Sequence, residues 1–425
     1  MSEAARHRLV FAACRPPYPL DNGARIRTFQ LLTGLARTFD TVLVTYEHHP
    51  DSPDGRYRSD ELEELLPNIA IVSVAGAGAR KRADQAASLL RRESWSLGRY
   101  RTEPFATALR ETVAAHRPSI VHFDDAGVAF LPPFAGALNV YSAHNIEQTL
   151  LRLEARAGTP LRRGFNAVEA HKVSREERRI WRTMDLCLAV SAPDGAAMAA
   201  GGARRVELCP NGVDPVERLP LRALRRDDPL KLLFVGSGSY APYERGLAWM
   251  VRAVLPRLRR QTAVSFDVVG QPPARPVAAE GVRYVGRVPT VEPYYDAAHV
   301  VVVPVFEGSG TRLKVIEAAA FGRPVVSTRL GAEGLPLEAG VHYLAAEGAD
   351  EFAAAVLELE HRWREPSSGS LERMVHSARE TVLPLSWPRV IGRLVALYES
   401  ELERRTPTKP SGIPAGAITS PSHRS

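Results

Sequence analysis

The sequence predicts an α/β protein of two doubly wound domains, each a mostly parallel sheet with helices on both faces. Three observations carry that expectation. Short apolar runs recur with helix-spaced segments between them, the pattern of parallel strands joined by crossover helices. A Pro- and charge-rich stretch, 215–229, interrupts the alternation once, and a second series of strand-like runs starts directly after it. The length of 425 residues suits two domains, each with its own core.

In chain order, the run RLVFAAC (8–14) ends in a Pro-rich turn, and TVLVTYE (41–47) follows after a helical stretch. Further strands are expected at Ile120–Phe123, Leu138–Ser142 and Leu186–Ser191, with helical spacing at Phe105–His116. These make a first domain at 1–214, and the patternless stretch 215–229 reads as the interdomain linker. The second domain, 230–385, offers KLLFVG (231–236), SFDVVG (265–270), VRYVG (282–286), VVVVPV (300–305) and PVVST (324–328). A last amphipathic helix occupies 386–405, and the Pro/Ser/Gly-rich tail 406–425 has the composition of a disordered segment.

Composition narrows the function. With 45% apolar and 24% charged residues the chain is neither a disordered nor a fibrous protein. No run approaches the roughly 20 apolar residues of a membrane span, and the N-terminus lacks the apolar run of a secretory signal, so a cytoplasmic location is expected. Cys14, Cys187 and Cys209 stand far apart, so neither a disulfide framework nor a metal site is expected. The net charge of +7 does not by itself choose a partner. Nucleic acid is not expected, because no aromatic interleaving, zinc-ligand spacing or recognition helix accompanies the charge. The basic helical segment 150–182 reads either as a solvated helix face or as a peripheral contact with the inner membrane face.

In open α/β sheets, ligands bind beyond the carboxyl ends of the strands. The loop after VVVVPV is FEGSGTRLKVIE. Gly308 and Gly310 permit close backbone approach, Ser309 and Thr311 offer hydroxyls, and Arg312 and Lys314 bring positive charge to a helix start: the makings of a diphosphate cradle. Glu317 lies one turn past Lys314 and can accept from a ribose diol. The same segment also reads as an ordinary capped helix start. Gly236 and Ser237 begin a second Gly/Ser-rich turn, VGSGSYAPYERG, which contains Arg245. In the first domain Gly23, flanked by Asp21, Arg25 and Arg27, follows the first strand, and His144 ends a later one.

The ordered set PPYPLDNGARIR, SAHNIE, VSAPDGAAM, PNGVD, LLFVGSGSYAPYERGLAWM, VRYVGRV, GSGTRLKVIEAAAFGRPVVST, GAEGL and the closing SW resembles the retaining glycosyltransferases of the GT-B fold, in the GT4-like group (glycosyl transferases group 1). The resemblance covers nearly the whole chain. It implies two Rossmann-like domains facing across a cleft, with the last helix crossing back to the N-terminal domain. The donor, a nucleotide-sugar, would lie on the second domain and an unidentified acceptor on the first. By this resemblance the loop Gly308–Ser309–Gly310–Thr311 and Lys314 hold the diphosphate, and Glu317 takes the ribose. The base lies against Gly286, Arg287 and Val288, Gly23 approaches the donor, and His144 stands near the transferred sugar. It further implies retention of configuration, no bound metal and no cofactor beyond the nucleotide-sugar substrate. The chain departs from the pattern in three places. Nine residues rather than seven separate Glu307 from Glu317, with Ser309 in the first glutamate's place. Tyr243 follows Pro242 where the group has Asn, and a common Gly-Arg pair is missing, leaving Arg245 or Arg312 to supply the basic group. Two alternatives accompany this reading: a nucleotide-sugar 2-epimerase of the same fold, and a catalytically silent scaffold.

Overall fold

The first strand, β1 (Arg8–Ala13), is buried from its second residue onward, because helices cover both faces of the sheet it centres. In this computed structural model the described residues are 6–47, 59–76, 81–155, 159–214, 216–221, 224, 227–238, 240–308, 310–365 and 369–405. Two expectations, the tail 406–425 and the site residue Ser309, lie outside them.

The first domain adds β2 (Asp40–Tyr46), β3 (Ala70–Val74), β4 (Ile120–Asp124), β5 (Leu138–Ser142), β6 (Leu186–Ala189) and β7 (Val206–Leu208). All pair in parallel, in the order β3-β2-β1-β4-β5-β6-β7. The second domain has β8 (Leu230–Val235), β9 (Val264–Val269), β10 (Val282–Gly286), β11 (Val300–Val303), β12 (Val325–Ser327) and β13 (Leu344–Ala345), in the parallel order β10-β9-β8-β11-β12-β13. Both domains are therefore Rossmann-like. Strand order reverses beside β1 and β8, so crevices open at the carboxyl ends of β1 and β4 and of β8 and β11.

The central strands match the sequence-based ones within a residue or two. The outer strands β3, β7 and β13 were not expected. β3 is only half-buried, and β7 and β13 have three and two residues, too short to show a period.

The stretch after β7 is more than a connection. The Arg323 guanidinium donates to the carbonyls of Leu219 and Pro220 at 2.6 and 2.7 Å, and the Leu219 amide donates to Phe321 at 3.1 Å. Backbone carbonyls carry these bonds, so residue identity gives no sign of them.

The chain passes between the domains twice, and the two passages touch. Val213 donates to the Leu385 carbonyl and Trp387 to the Val213 carbonyl, each at 3.0 Å. A Cβ on Gly212 would lie 2.5 Å from the Trp387 ring, so only glycine lets the passages lie this close. The last helix, Trp387–Arg405, then returns to the first domain. It buries Trp387, Val390, Leu394 and Tyr398 in the cluster that contains Leu9, Phe11, Leu31 and Leu35. Its apolar positions, spaced by three or four residues, form the single stripe this burial requires.

Candidate active site

In the second domain, the loops after β8 and β11 converge. The helix Ala241–Trp249 packs so closely on the second loop that a Cβ on Gly246 would lie 1.9 Å from the Pro304 carbonyl oxygen. That loop turns through Gly308 and Gly310, both left-handed at φ 117° and 75°, and enters the helix Leu313–Ala320. Lys314, in its first turn, is 6% exposed. Its Nζ has no hydrogen-bond partner among the described residues and lies 3.3 Å from the centre of the Tyr243 ring and 4.0 Å from that of Phe234. Burial, and then Arg312, hold its pKa well below the ordinary lysine value. A Cβ on Gly236 would come within 2.7 Å of Nζ, so the glycine after β8 leaves room for the ammonium.

Arg312 is buried, and its Nη1 donates to the Gly310 carbonyl, stiffening the turn. A Cβ on Gly308 would meet both the Arg312 guanidinium and the Tyr240 hydroxyl at 3.1 Å. Ser237 lies in the neighbouring loop after β8. Glu317 accepts from the Tyr295 hydroxyl at 2.7 Å, and burial raises its pKa. One of its oxygens is thus occupied by the protein, a partner the sequence did not suggest. Arg245 and Glu307, two residues of uncertain role in the sequence, pair with each other at the surface. At the far side Gly286 adopts φ 87° at the end of β10, Val288 packs half-buried on the domain core, and Arg287 donates to Gln271 at 2.9 Å.

In the first domain, Gly23 begins the helix Gly23–Leu35, whose N-cap Asn22 accepts from the Arg25 amide at 3.1 Å. A Cβ on Gly23 would lie 3.0 Å from Leu313 of the other domain, so the helix start abuts the helix Leu313–Ala320. His144 stands two residues past β5. Its Nε2 is 3.0 Å from Oδ2 of Asp124, the buried last residue of β4, which also accepts from the Thr28 hydroxyl at 2.5 Å. Burial would raise the Asp124 carboxyl, but His144 and His122 hold it well below the usual range. Parallel pairing of β4 with β5, Asp124 opposite Ser142, brings the two side chains together.

The two halves meet. Asn211 donates to the Thr311 hydroxyl at 2.8 Å, and Arg287 pairs with Asp21 at 3.0 Å. A Cβ on Gly310 would lie 2.5 Å from Asn145 Oδ1 and 3.1 Å from the His144 carbonyl, so the glycine turn sits directly on the His144 segment. Asn211 is itself held by Arg27, which donates to its side chain and to the Pro210 carbonyl at 3.2 Å.

Several of these residues were missed in the sequence. Asp124 and Thr28 carry no local signature, and Asn211, within PNGVD, gives no sign of its partner across the domains. Near His144 stand Arg15, which pairs with Asp125 at 3.8 Å, and Glu147, whose pKa burial raises to about 7. Glu147 also interacts with Tyr240 of the second domain. Beneath it Glu177 accepts the Glu147 and Gln148 amides at 2.8 and 3.1 Å, taking up two free donors at the start of the helix Glu147–Glu154. Among the described residues no group of His, Cys, Asp and Glu side chains is arranged to hold a metal ion.

The model of the family described as Glycosyltransferase Family 4 matches residues 21–217, and that described as Glycosyl transferases group 1 matches 229–362. No curated protein sequence matches the chain significantly. Among solved structures, a sucrose-phosphate synthase from Thermosynechococcus elongatus is similar with TM-score 0.69 and 19% identity, over 94% of this chain and 100% of that one. A glycosyltransferase from Rickettsia africae gives 0.62 and 10%, over 94% and 100%. Anabaena HepE, solved in complex with UDP-glucose, gives 0.60 and 13%, over 93% and 100%. At these identities the structures speak for the fold, which is GT-B. With a family model on each domain and that architecture along the chain, the protein belongs to the family-4, group 1 glycosyltransferases.

Proposed function

We propose that the chain transfers a sugar from a nucleotide-sugar donor to a hydroxyl of an acceptor, with retention of configuration and without a bound metal. The observation that carries this reading is Lys314: a buried amine without a hydrogen-bond partner among the described residues, at the start of a helix, between two glycine turns at the point where the strand order of the second domain reverses. Leaving such a group unpaired costs several kcal/mol in principle, a cost that an anion at Nζ offsets. A nucleoside diphosphate supplies that anion, and the UDP-glucose bound to Anabaena HepE supports a donor of this class.

In this reading Lys314, Arg312 and the amides of the 308–311 turn carry the charge that develops on the leaving diphosphate. Glu317 uses its remaining acceptor capacity for the ribose, and the base lies beside Gly286, Arg287 and Val288. The acceptor enters on the first domain, where His144 faces the transferred sugar and Arg15, Asp125 and Glu147 stand nearby. The acceptor hydroxyl attacks on the face from which the nucleotide departs, and a phosphate oxygen of the leaving group takes its proton. The enzyme works in the cytoplasm, with the basic face of the helix Pro160–Thr183 available to an anionic membrane surface. No helix among the described residues is long and apolar enough to cross a membrane.

Thermal-shift and calorimetric titration with UDP, GDP, ADP, dTDP and their common sugars, with and without chelator, tests the donor. One nucleotide should stabilise the wild type and leave Lys314→Ala nearly unshifted. NMR of the product's anomeric proton tests retention. If none of these nucleotides binds at any concentration, the donor reading fails.

A further inference from the structure

The dyad at the carboxyl ends of β4 and β5 decides how His144 meets its substrate. Within the donor–acceptor reading above, we propose that Asp124 is a positioning residue that keeps the His144 proton on Nε2, so that the ring offers Nδ1 as a hydrogen-bond acceptor to a substrate hydroxyl.

The argument is one of donors and acceptors. An ionised carboxylate only accepts, so a ring nitrogen 3.0 Å from it must carry a proton. Asp124 is 2% exposed, and its surroundings favour the charged form. Thr28 donates to the same oxygen at 2.5 Å. On the other side, His122 Nε2 lies 3.8 Å from Oδ1, too far for a hydrogen bond but close enough for orientation to matter. The Tyr398 hydroxyl, on the helix that returns from the second domain, is 2.6 Å from His122 Nδ1. If Tyr398 donates to Nδ1, the proton of a neutral His122 lies on Nε2 and faces the carboxylate. The reverse arrangement would turn a lone pair toward it. Burial keeps His122 neutral. Thr28 donates to the carboxylate and His144 stands 3.0 Å from it, so the ionised Asp124 has no proton to give His144.

With Nε2 committed, Nδ1 is the remaining polar atom of the ring, and no hydrogen bond to it is found among the described residues. The ring is nearly closed off, at 9% side-chain exposure, and its backbone touches the Gly310 turn that ends at the donor site. A neutral ring held this way accepts from a hydroxyl and fixes where that hydroxyl points. A histidine with the proton on Nδ1 would instead donate, and would turn away a hydroxyl that must also donate.

The test uses the full chain labelled with ¹⁵N-histidine, together with Asp124→Asn, His144→Ala for assignment, and Tyr398→Phe. The last removes a buried hydroxyl that reaches Asp124 only through His122, and so separates the direct Asp124–His144 contact from the rest of the cluster. Long-range ¹H–¹⁵N spectra should show His144 protonated at Nε2, with a slowly exchanging proton there in wild type and in Tyr398→Phe but not in Asp124→Asn. With UDP-glucose as the donor probe and water as acceptor, kcat of Asp124→Asn should fall on the order of 10²-fold or more, while UDP affinity, set by the other domain, stays within about twofold. Wild-type His144 carrying its proton on Nδ1 overturns the proposal, as does an Asp124→Asn protein that keeps the slow Nε2 proton. If wild type neither binds UDP nor consumes UDP-glucose, the donor reading is at fault, and the spectra still decide the role of Asp124.

Discussion

The amine of Lys314 sits against the face of the Tyr243 ring, 3.3 Å from its centre, with no hydrogen-bond partner among the described residues. Tyr243 stands where the family commonly has Asn. The ring's negative face gives a cation partial compensation and does so without blocking an incoming anion. Burial, and then Arg312, nonetheless hold the Lys314 pKa well below the ordinary lysine value.

Nucleotide binding should therefore take up a proton. A diphosphate beside Nζ favours the charged amine, so its pKa rises on binding and affinity weakens as pH increases. Calorimetric titration of UDP near pH 8 in buffers of different ionisation enthalpy should give an apparent enthalpy that changes with buffer in the direction of proton uptake. Lys314→Ala should abolish the dependence and cost on the order of 10²-fold in turnover. Equal enthalpies in all buffers would show that the amine is already charged in the free protein.

Gly236→Ala should mimic that loss without touching a charge. The new Cβ would sit 2.7 Å from Nζ at a backbone φ of 152°, so both sterics and conformation oppose it. Strain of this kind costs about 1–3 kcal/mol. Chemical denaturation should show a modest loss of stability, accompanied by at least tenfold weaker nucleotide binding. Full affinity in a folded Gly236→Ala protein would place the phosphates elsewhere.

Arg287 and Asp21 join the two domains beside the base-side loop, 3.0 Å apart, and Asp21 also holds Arg25 at 2.8 Å. Arg287 is half exposed, so the pair contributes only about 0–1 kcal/mol to stability. Asp21→Asn should leave the denaturation midpoint nearly unchanged. It should nonetheless enlarge the radius of gyration measured by small-angle scattering, and 0.5 M salt, roughly three times physiological ionic strength, should do the same to wild type. An unchanged radius in both cases would show that other contacts hold the cleft.

Glu147 makes the protein's stability depend on pH in a predictable direction. Burial raises its pKa from 4.5 to about 7, with Asp125 contributing in the same direction. A carboxyl raised in the folded state binds a proton there that the unfolded chain has already released, so stability falls as pH rises from about 4.5 to 7 and then levels off. Lys314 and the buried histidines contribute alike to wild type and to Glu147→Gln, so the difference between the two reports Glu147 together with Glu177, whose own pKa the Glu147 charge helps to raise. Wild type should lose stability relative to Glu147→Gln across that window, by urea denaturation at stepped pH. A constant difference would mean that Glu147 is solvated as an ordinary carboxylate.

Much of this protein was legible in its residues. The alternating apolar runs announced two parallel sheets, and Gly308, Gly310 and Lys314, which the structure places together beside the loop after β8, were singled out by their residue types. The helix from Trp387 declared itself by its apolar stripe, although its partner surface on Leu31 and Leu35 did not. The segments carrying Arg245 and Glu307 were ambiguous because charge in a sequence does not reveal its partner, and here the two residues answer each other.

What the sequence by itself determined is what local periodicity and turn chemistry can encode: strands, helices, the places where glycine must stand, and the order of motifs that marks the family. The tertiary structure decided which of those elements share an edge. Asp124 reaches His144 because β4 lies beside β5, Lys314 reaches Tyr243 because the loop after β8 lies beside the helix after β11, and Thr311 reaches Asn211 because the domains close on each other. A parallel sheet joins strands that are distant along the chain, so its site is assembled from residues whose local sequence carries no record of one another.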